Sequence, residues 1–382
     1  MEPIRILHEL AMMDTGGVET QLMRIYRHID RSKVQFDFLL HRSQKSAYDD
    51  EICAMGGRIF RVARFNPMYY MRYMNGMRRF FAEHAEYRIV VVHSDLALGP
   101  LKAAWEAGVP WRICYSHNGR SVWNVKRCFM DYERLFLKRY CSEMFAVSEV
   151  AARYMFGDRA VDAGKVRLIR NGITVGDFVF REAKREEKRR ELGLEGRFIV
   201  GHVGRFEQQK NHEFLLDVFQ HLRGLRPNAH LILIGKGRLE KKIRARIDRL
   251  GLRDAVTLLD SRMDIHDMLK AMDVMILPSL WEGFPNVAIE AQACALPTYM
   301  SQNVTAEADF SPYACRLSLG LGARAWAERI HGDMKEPVAR VDMSAAMREK
   351  GFDVQTIAKC YEAFYIRKMN ELLCMENKSA GE

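Results

Sequence analysis

Two carboxylates, Glu282 and Glu290, flank the turn between a short apolar run, Val274 to Leu277, and a stretch of small residues, Asn286 to Cys294. The run reads as a buried strand, residues 278–285 as a loop, and the small-residue stretch as a helix. The first turn of such a helix has N–H groups with no internal partner and carries the positive end of the macrodipole, so it favours an anion such as a diphosphate. A carboxylate does not bind phosphate, but it accepts hydrogen bonds from sugar hydroxyls. One carboxylate before the helix and one inside it suit the two sugars on either side of a diphosphate, and that is the chemistry of a nucleotide sugar. Upstream, Arg205 and Lys210 follow another apolar run, Phe198 to Val203, and precede a helical pattern. Fixed cations there suit a diphosphate leaving group, because charge builds on the phosphate as the glycosidic bond breaks. Taken singly, the same residues also fit surface glutamates and solvated loop cations.

Gly16 and Gly17 follow the first strand-like run and precede an amphipathic pattern from Val18. Glycines there permit positive φ and close approach of backbone to an anion, or simply make a tight turn. His117 comes directly after the run Arg112 to Tyr115, at the end of a strand. A lone histidine in that place is either a hydrogen-bonded structural residue or a neighbour of the chemistry. No Asp-x-Asp occurs, so nothing in the sequence points to a metal bridging phosphates.

Glu282-x7-Glu290, set in W-E-G-F-P-N-V-A-I-E-A, resembles the donor motif of the retaining glycosyltransferase family 4, whose members have the two-domain GT-B fold. V-G-R-F-E-Q-Q-K-N (203–211), G-K-G (235–237) and T-G-G-V-E-T (15–20) resemble the family's other signatures in the same order, so the likeness spans nearly the whole chain. The resemblance implies Glu282, His117, Arg205 and Lys210 as the catalytic set. It implies Gly16, Gly17, Gly204, Gly235, Gly283, Phe284, Asn286, Val287 and Glu290 as donor contacts, with His93 and Ser94 facing the acceptor. His117 would lie beside the donor sugar, orienting it or stabilising developing positive charge. The implied co-substrate is a nucleotide sugar, UDP-linked, with no cofactor and no metal. The acceptor would be a glycan or lipid-linked intermediate of bacterial exopolysaccharide or capsule assembly. Two positions depart from the pattern. Pro285 stands where many members have glycine and removes one N–H from the turn, so Asn286 and Val287 must supply the donors. Ala295 replaces a glycine after the helix and is strained if the position is left-handed, in which case glycine there would stabilise by about 0.5 to 1 kcal/mol.

The elements that position these residues follow from the rhythm of the chain. Short apolar runs (Ile4 to His8, Phe36 to Leu40, Arg58 to Val62, Ile89 to Val92, Arg112 to Tyr115, Met144 to Val147) alternate with longer amphipathic segments, and the pattern restarts with Phe198 to Val203, Leu231 to Ile234, Val256 to Leu259 and Val274 to Leu277. That is βαβ rhythm, hence an α/β chain of two Rossmann-like, doubly wound parallel-sheet domains facing a cleft. The predicted divisions are 1–173 for the acceptor-side domain, 174–195 for a charged linker and 196–352 for the donor domain. A helix over 353–374 and a flexible tail over 375–382 complete the chain. The crossing of that helix back to the first domain is implied by the resemblance alone.

At 382 residues the chain suits two cores, and 48% hydrophobic with 28% charged residues is an ordinary globular balance. The N-terminus shows no basic segment leading into a long apolar stretch, and no apolar run is long enough to span a bilayer, which predicts a cytoplasmic protein. The eight cysteines are scattered without zinc-like spacing, which predicts free thiols. A net charge of +10 calls for an acidic partner, whether nucleotide, anionic membrane or nucleic acid. No recognised nucleic-acid motif is found, so nucleic acid is not expected. A nucleotide-sugar epimerase on the same architecture is the rival enzyme. Residues 61–82 contain no acidic side chain. On helical spacing Tyr70, Tyr73, Met74, Met77 and Phe81 share one side, Arg72 and Arg79 lie away from it, and Arg78 flanks it. This predicts a stripe packed on the first sheet, with the surplus arginines either solvated or resting on an anionic membrane at the cytoplasmic face.

Overall fold

The computed structural model describes residues 2–119 and 125–380. The chain divides into two compact units, residues 1–173 with 351–382 and residues 174–350. The strands are joined by crossover connections, and each strand pair among the described residues is parallel.

Among the described residues the first unit has seven strands: β1 (Ile4–Leu10), β2 (Val34–Leu40), β3 (Ile59–Arg61), β4 (Ile89–Val92), β5 (Trp111–Ser116), β6 (Glu143–Ala146) and β7 (Val166–Leu168). Their order is β3-β2-β1-β4-β5-β6-β7, so the winding reverses between β1 and β4. In sheets of this kind ligands gather beyond the carboxyl ends of the strands beside that reversal. The helix α1 (Gly17–His28) follows β1, and α2 (Tyr70–Glu83) precedes β4. From α2, Tyr73, Met74, Met77, Phe80 and Phe81 enter the core against Val90, Val92 and Leu101. The apolar stripe therefore faces the sheet, with Phe80 added to it and Tyr70 only half-buried.

The second unit has six strands among the described residues: β8 (Phe198–Val203), β9 (Ala229–Ile234), β10 (Val256–Leu259), β11 (Val274–Leu277), β12 (Thr298–Ser301) and β13 (Ala314–Leu317). Their order, β10-β9-β8-β11-β12-β13, places the reversal between β8 and β11. The loops leaving those two strands carry Arg205, Lys210 and Glu282.

Residues 174–195, predicted as a charged linker, are grouped with the second unit. They contain α3 (Glu182–Glu191), which belongs to the second unit. Arg185 and Arg189 both reach Asp273, at 2.5 and 2.6 Å. Arg185 also donates to the Met272 carbonyl (3.0 Å) and Arg189 to that of Ala271 (2.9 Å), closing the carbonyl end of the helix that precedes β11. At the other end of the chain, the helix Val354–Ala380 packs in the first unit, burying Val354, Ala358, Tyr361, Phe364 and Tyr365. Residues 375–380, part of the stretch predicted as a flexible tail, continue this helix, and residues 381–382 lie outside the described residues.

Ala295 does take the left-handed conformation, with φ of +52°. It ends α5 (Asn286–Ala293), where the N–H of Leu296 returns to the Ala291 carbonyl (2.9 Å) and that of Ala295 to Gln292 (2.9 Å). The Ala295 side chain is fully buried, a term the sequence does not reveal. Glycine would relieve about 1 to 2 kcal/mol of backbone strain. It would also lose a buried methyl worth about 0.8 kcal/mol and add about 0.5 to 1 kcal/mol of unfolded-state entropy. Ala295→Gly is therefore expected to stay within about 1 kcal/mol of the parent in chemical denaturation. Ala295→Val, β-branched at positive φ, should lose more than about 2 kcal/mol. A valine variant as stable as the parent would contradict this conformation.

Candidate active site

In the second unit, β8 ends into a loop whose last turn, Gln208–Lys210, leads through Asn211 into α4 (His212–Leu225). Asn211 sits at φ +54°, a conformation asparagine tolerates better than most residues. Its side-chain amide donates to the Pro278 carbonyl (3.1 Å), and the Leu280 N–H donates to the Gln209 carbonyl (2.8 Å). These bonds lace the loop after β8 to the loop after β11. The lacing brings Lys210 Nζ to 2.5 Å from Glu282 Oε1, and Gln209 Nε2 donates to Glu282 Oε2 (3.1 Å) and to the Trp281 carbonyl (3.0 Å). Both oxygens of a largely buried carboxylate are thus held.

Gly204 and Gly235 make this geometry possible. A Cβ on Gly204 would press on the Lys210 stem at 3.0 Å, and one on Gly235, whose φ is +152°, would lie 2.1 Å from the Gly204 carbonyl oxygen. Arg205 is exposed and has no ion pair or hydrogen bond from its side chain among the described residues, so it is a cation open to a ligand. In the next loop Gly283 and Phe284 lead to Pro285, which caps α5. The Ala288 N–H closes onto the Pro285 carbonyl (3.0 Å), and Asn286 and Val287 form the first turn. Glu290 lies one turn into α5 and is buried.

In the first unit, Gly16 and Gly17 do not serve a positive φ. Gly16 is extended (φ −79°) and caps α1, with the Thr20 N–H donating to its carbonyl (2.9 Å). A Cβ on Gly16 would lie 2.2 Å from Glu19 Oε2, so the Glu19 carboxylate folds back over the start of α1. Beyond the carboxyl ends of β4 and β5, His93 and His117 share a hydrogen bond, Nδ1 to Nε2, of 2.9 Å. His8 of β1 joins the other side of His93, its Nδ1 lying 3.0 Å from His93 Nε2. Both ring nitrogens of His93 are therefore engaged by neighbouring imidazoles. Ser94 Oγ donates to Glu9 Oε2 (2.9 Å), while Glu9 Oε1 pairs with His41. Burial pushes His8 and His117 down to about 3. Burial, followed by the neighbouring rings, holds His93 well below the ordinary imidazole range. Burial also lowers His41, but the Glu9 carboxylate outweighs it and the net shift is upward.

His8, Glu9, His41 and Gln209 are the site residues that sequence reasoning missed. The signal for two of them was present: His8 and Glu9 are adjacent polar residues in the buried stretch 6–10 of β1, where polar groups need partners.

Comparison with known proteins places both units among glycosyltransferases. Residues 15–176 match the family model described as Glycosyltransferase Family 4, and residues 184–348 match that of Glycosyl transferases group 1. The chain is 36% identical over 333 residues, 85% of its length and 86% of the other, to a Bacillus subtilis protein, EpsF, named as a glycosyltransferase. It is 29% identical over 226 residues, 56% of its length and 58% of the other, to an Escherichia coli enzyme named UDP-Gal:alpha-D-GlcNAc-diphosphoundecaprenol alpha-1,3-galactosyltransferase. Its fold matches that of Anabaena HepE, solved with UDP-glucose, at a TM-score of 0.79 and 20% identity over 95% of this chain and 99% of that one.

Proposed function

The chain belongs to glycosyltransferase family 4, in the group serving exopolysaccharide and capsule biosynthesis, and from that premise we propose that it transfers a sugar from a UDP-linked donor to a hydroxyl of a lipid-linked glycan, with retention of configuration and without a metal or cofactor. The observation that carries the donor half of this reading is Lys210 bound to Glu282 on one laced pair of loops, with Arg205 unpaired on the same loop as Lys210. An ammonium group has three donors, so Lys210 can hold Glu282 and still reach a phosphate oxygen. Glu282 accepts from a hydroxyl of the transferred sugar, and Glu290 from the ribose. As the bond from the anomeric carbon to the phosphate oxygen breaks, negative charge grows on the phosphate, and Arg205, Lys210 and the first turn of α5 stabilise it. The acceptor oxygen bonds to the anomeric carbon on the face the phosphate leaves. Its proton passes to the departing phosphate. His117, neutral, orients the donor sugar.

The test incubates the protein with a panel of nucleotide sugars, with and without a glycosyl diphospho-lipid acceptor, and reads the anomeric configuration of the product. Transfer with retention is expected. Conversion of donor alone to its epimer would favour the epimerase, and an inverted product would reject the mechanism.

The lipid-linked acceptor is supported by the name of the Escherichia coli relative and by the surface at the start of α2. Met68, Tyr69 and Met71 are 85%, 59% and 63% exposed, and Arg72 and Arg79 are exposed with no ion pair among the described residues. Arg78 is not part of this set, since its guanidinium is held by Glu106 at 2.7 and 3.1 Å. No helix among the described residues is long and apolar enough to cross a membrane. Attachment at the cytoplasmic face would come from these apolar side chains and from about 1 kcal/mol per basic residue near anionic lipid. Binding to anionic liposomes is expected to fall with salt and to be lost in a Met68→Ser, Met71→Ser, Arg72→Ala, Arg79→Ala variant that still binds donor. Arg78→Ala should leave it unchanged. Equal binding by the quadruple variant and the parent would remove this surface as the membrane contact.

A further inference from the structure

Three imidazoles stand in a row at the carboxyl ends of β1, β4 and β5. His8 Nδ1 lies 3.0 Å from His93 Nε2, and His93 Nδ1 lies 2.9 Å from His117 Nε2. The nearest carboxylate in sequence, Glu9, is turned to His41 and Ser94 instead. Desolvation disfavours the charged form at each position, so the three rings are neutral near pH 7. A neutral imidazole has one N–H and one bare nitrogen. His93, bonded on both sides, must therefore donate to one neighbour and accept from the other. It follows that all three rings share one tautomer, either all protonated on Nδ1 or all on Nε2.

The two ends of the row separate these patterns. His8 Nε2 is buried, with the rings of Phe36 and Phe38 nearby (centroids at 4.2 and 6.0 Å), and has no hydrogen-bond partner among the described residues. His117 is only half-buried, and its Nδ1 makes no hydrogen bond among the described residues. The Nε2 pattern would bury an unpaired N–H at His8. The Nδ1 pattern leaves a bare nitrogen there and places the spare N–H on His117, at the end a ligand can reach. Orphaned buried N–H donors are the rarer of the two in folded proteins.

We propose that His8 and His93 are positioning residues, a directed row that holds His117 as an Nδ1–H donor toward a ligand oxygen. That this oxygen is a hydroxyl of the donor sugar rests on the transferase reading above; the tautomer does not.

The experiment uses the full chain labelled with 15N in its histidine rings, with long-range 1H–15N spectra at neutral pH and His8→Phe, His93→Phe and His117→Gln for assignment. His8, His93 and His117 are expected as Nδ1–H tautomers in the parent. In His8→Phe, His117 should lose its fixed tautomer and show averaged nitrogen shifts, and His8→Asn, whose amide can donate in place of Nδ1, should restore it. A mixed pattern or an Nε2–H pattern in the parent would overturn the proposal, and this result stands even where a variant fails to fold. In turnover, His8→Phe should lower kcat about tenfold, the scale of a lost orienting partner, with donor KM within about twofold, and His8→Asn should recover most of it. A raised KM with unchanged kcat would also overturn it. If the parent turns over no nucleotide sugar, the transferase reading fails while the spectra still judge the row.

Discussion

Lys210→Ala is expected to slow turnover by about a hundredfold or more, while EDTA leaves the parent's turnover intact. The size of the effect follows from what the ammonium touches. Lys210 Nζ lies 2.5 Å from Glu282, and both side chains are mostly buried, at 13% and 8% exposure. On the proposed mechanism, removing the lysine takes a cation from the leaving phosphate. It also leaves the Glu282 carboxylate with Gln209 as its remaining side-chain donor among those described here. A buried carboxylate that loses its counter-charge repels the incoming diphosphate, so donor KM should rise together with the fall in kcat. Glu282→Gln should be milder on donor binding, because it removes the repelling charge. The double variant should fall well short of the sum of the two, as expected for residues in one contact. Lys210→Ala turnover near the parent's would reject the role assigned to the lysine, and activity lost on chelation and restored by magnesium would reject the metal-free chemistry.

Glu290→Ala is expected to weaken binding of UDP alone by roughly 1 to 3 kcal/mol, the scale of charge-assisted hydrogen bonds, or roughly 5- to 150-fold in Kd. Its carboxylate is buried within α5, in a helix whose every position after Asn286 is buried. The helix itself should survive the change, since alanine is the best helix former and the cap at Pro285 is untouched. Calorimetry with UDP and a thermal melt in its absence separate ligand loss from helix loss. An unchanged Kd would remove Glu290 from the nucleotide site.

How much of this was legible in the sequence depends on the kind of residue. Strands covered on both faces announce themselves: I-V-V-V at β4 and V-M-I-L at β11 are continuous apolar runs, and both were found with their observed bounds. The edge strand β7 was not, because V-R-L is three residues long and Leu168 is half exposed, leaving no apolar run to see. The strands β12 and β13 were also missed, T-Y-M-S because its two ends are buried hydroxyls and A-C-R-L because it lies at the sheet's edge. The helix α3 was hidden by its own charges: E-A-K-R-E-E-K-R-R-E has no apolar stripe, and it is held by Arg185 and Arg189 on Asp273, a partner more than eighty residues away. At the site, Glu282 and Lys210 were legible as types. Their direct pairing was not, because it depends on how Asn211 and Gln209 tie one loop to another. The histidine row was illegible for the same reason: its members lie 85 and 24 residues apart.

The return of the last helix to the first unit has a consequence for how the protein is made. Ile173 and Asp353 are bridged in parallel, with the Ile173 N–H on the Phe352 carbonyl (2.8 Å) and the Val354 N–H on the Ile173 carbonyl (3.0 Å). The polypeptide thus leaves the first unit and re-enters it at one spot, and residues 174–350 are an insertion in that unit. A ribosome working from the N-terminus releases the whole insertion before it reaches Tyr361, Phe364 and Tyr365, side chains the first unit needs for its core. The nascent chain therefore completes its second unit first, and through that interval the older half waits with the surface of β1 and β2 that this helix later covers still bare.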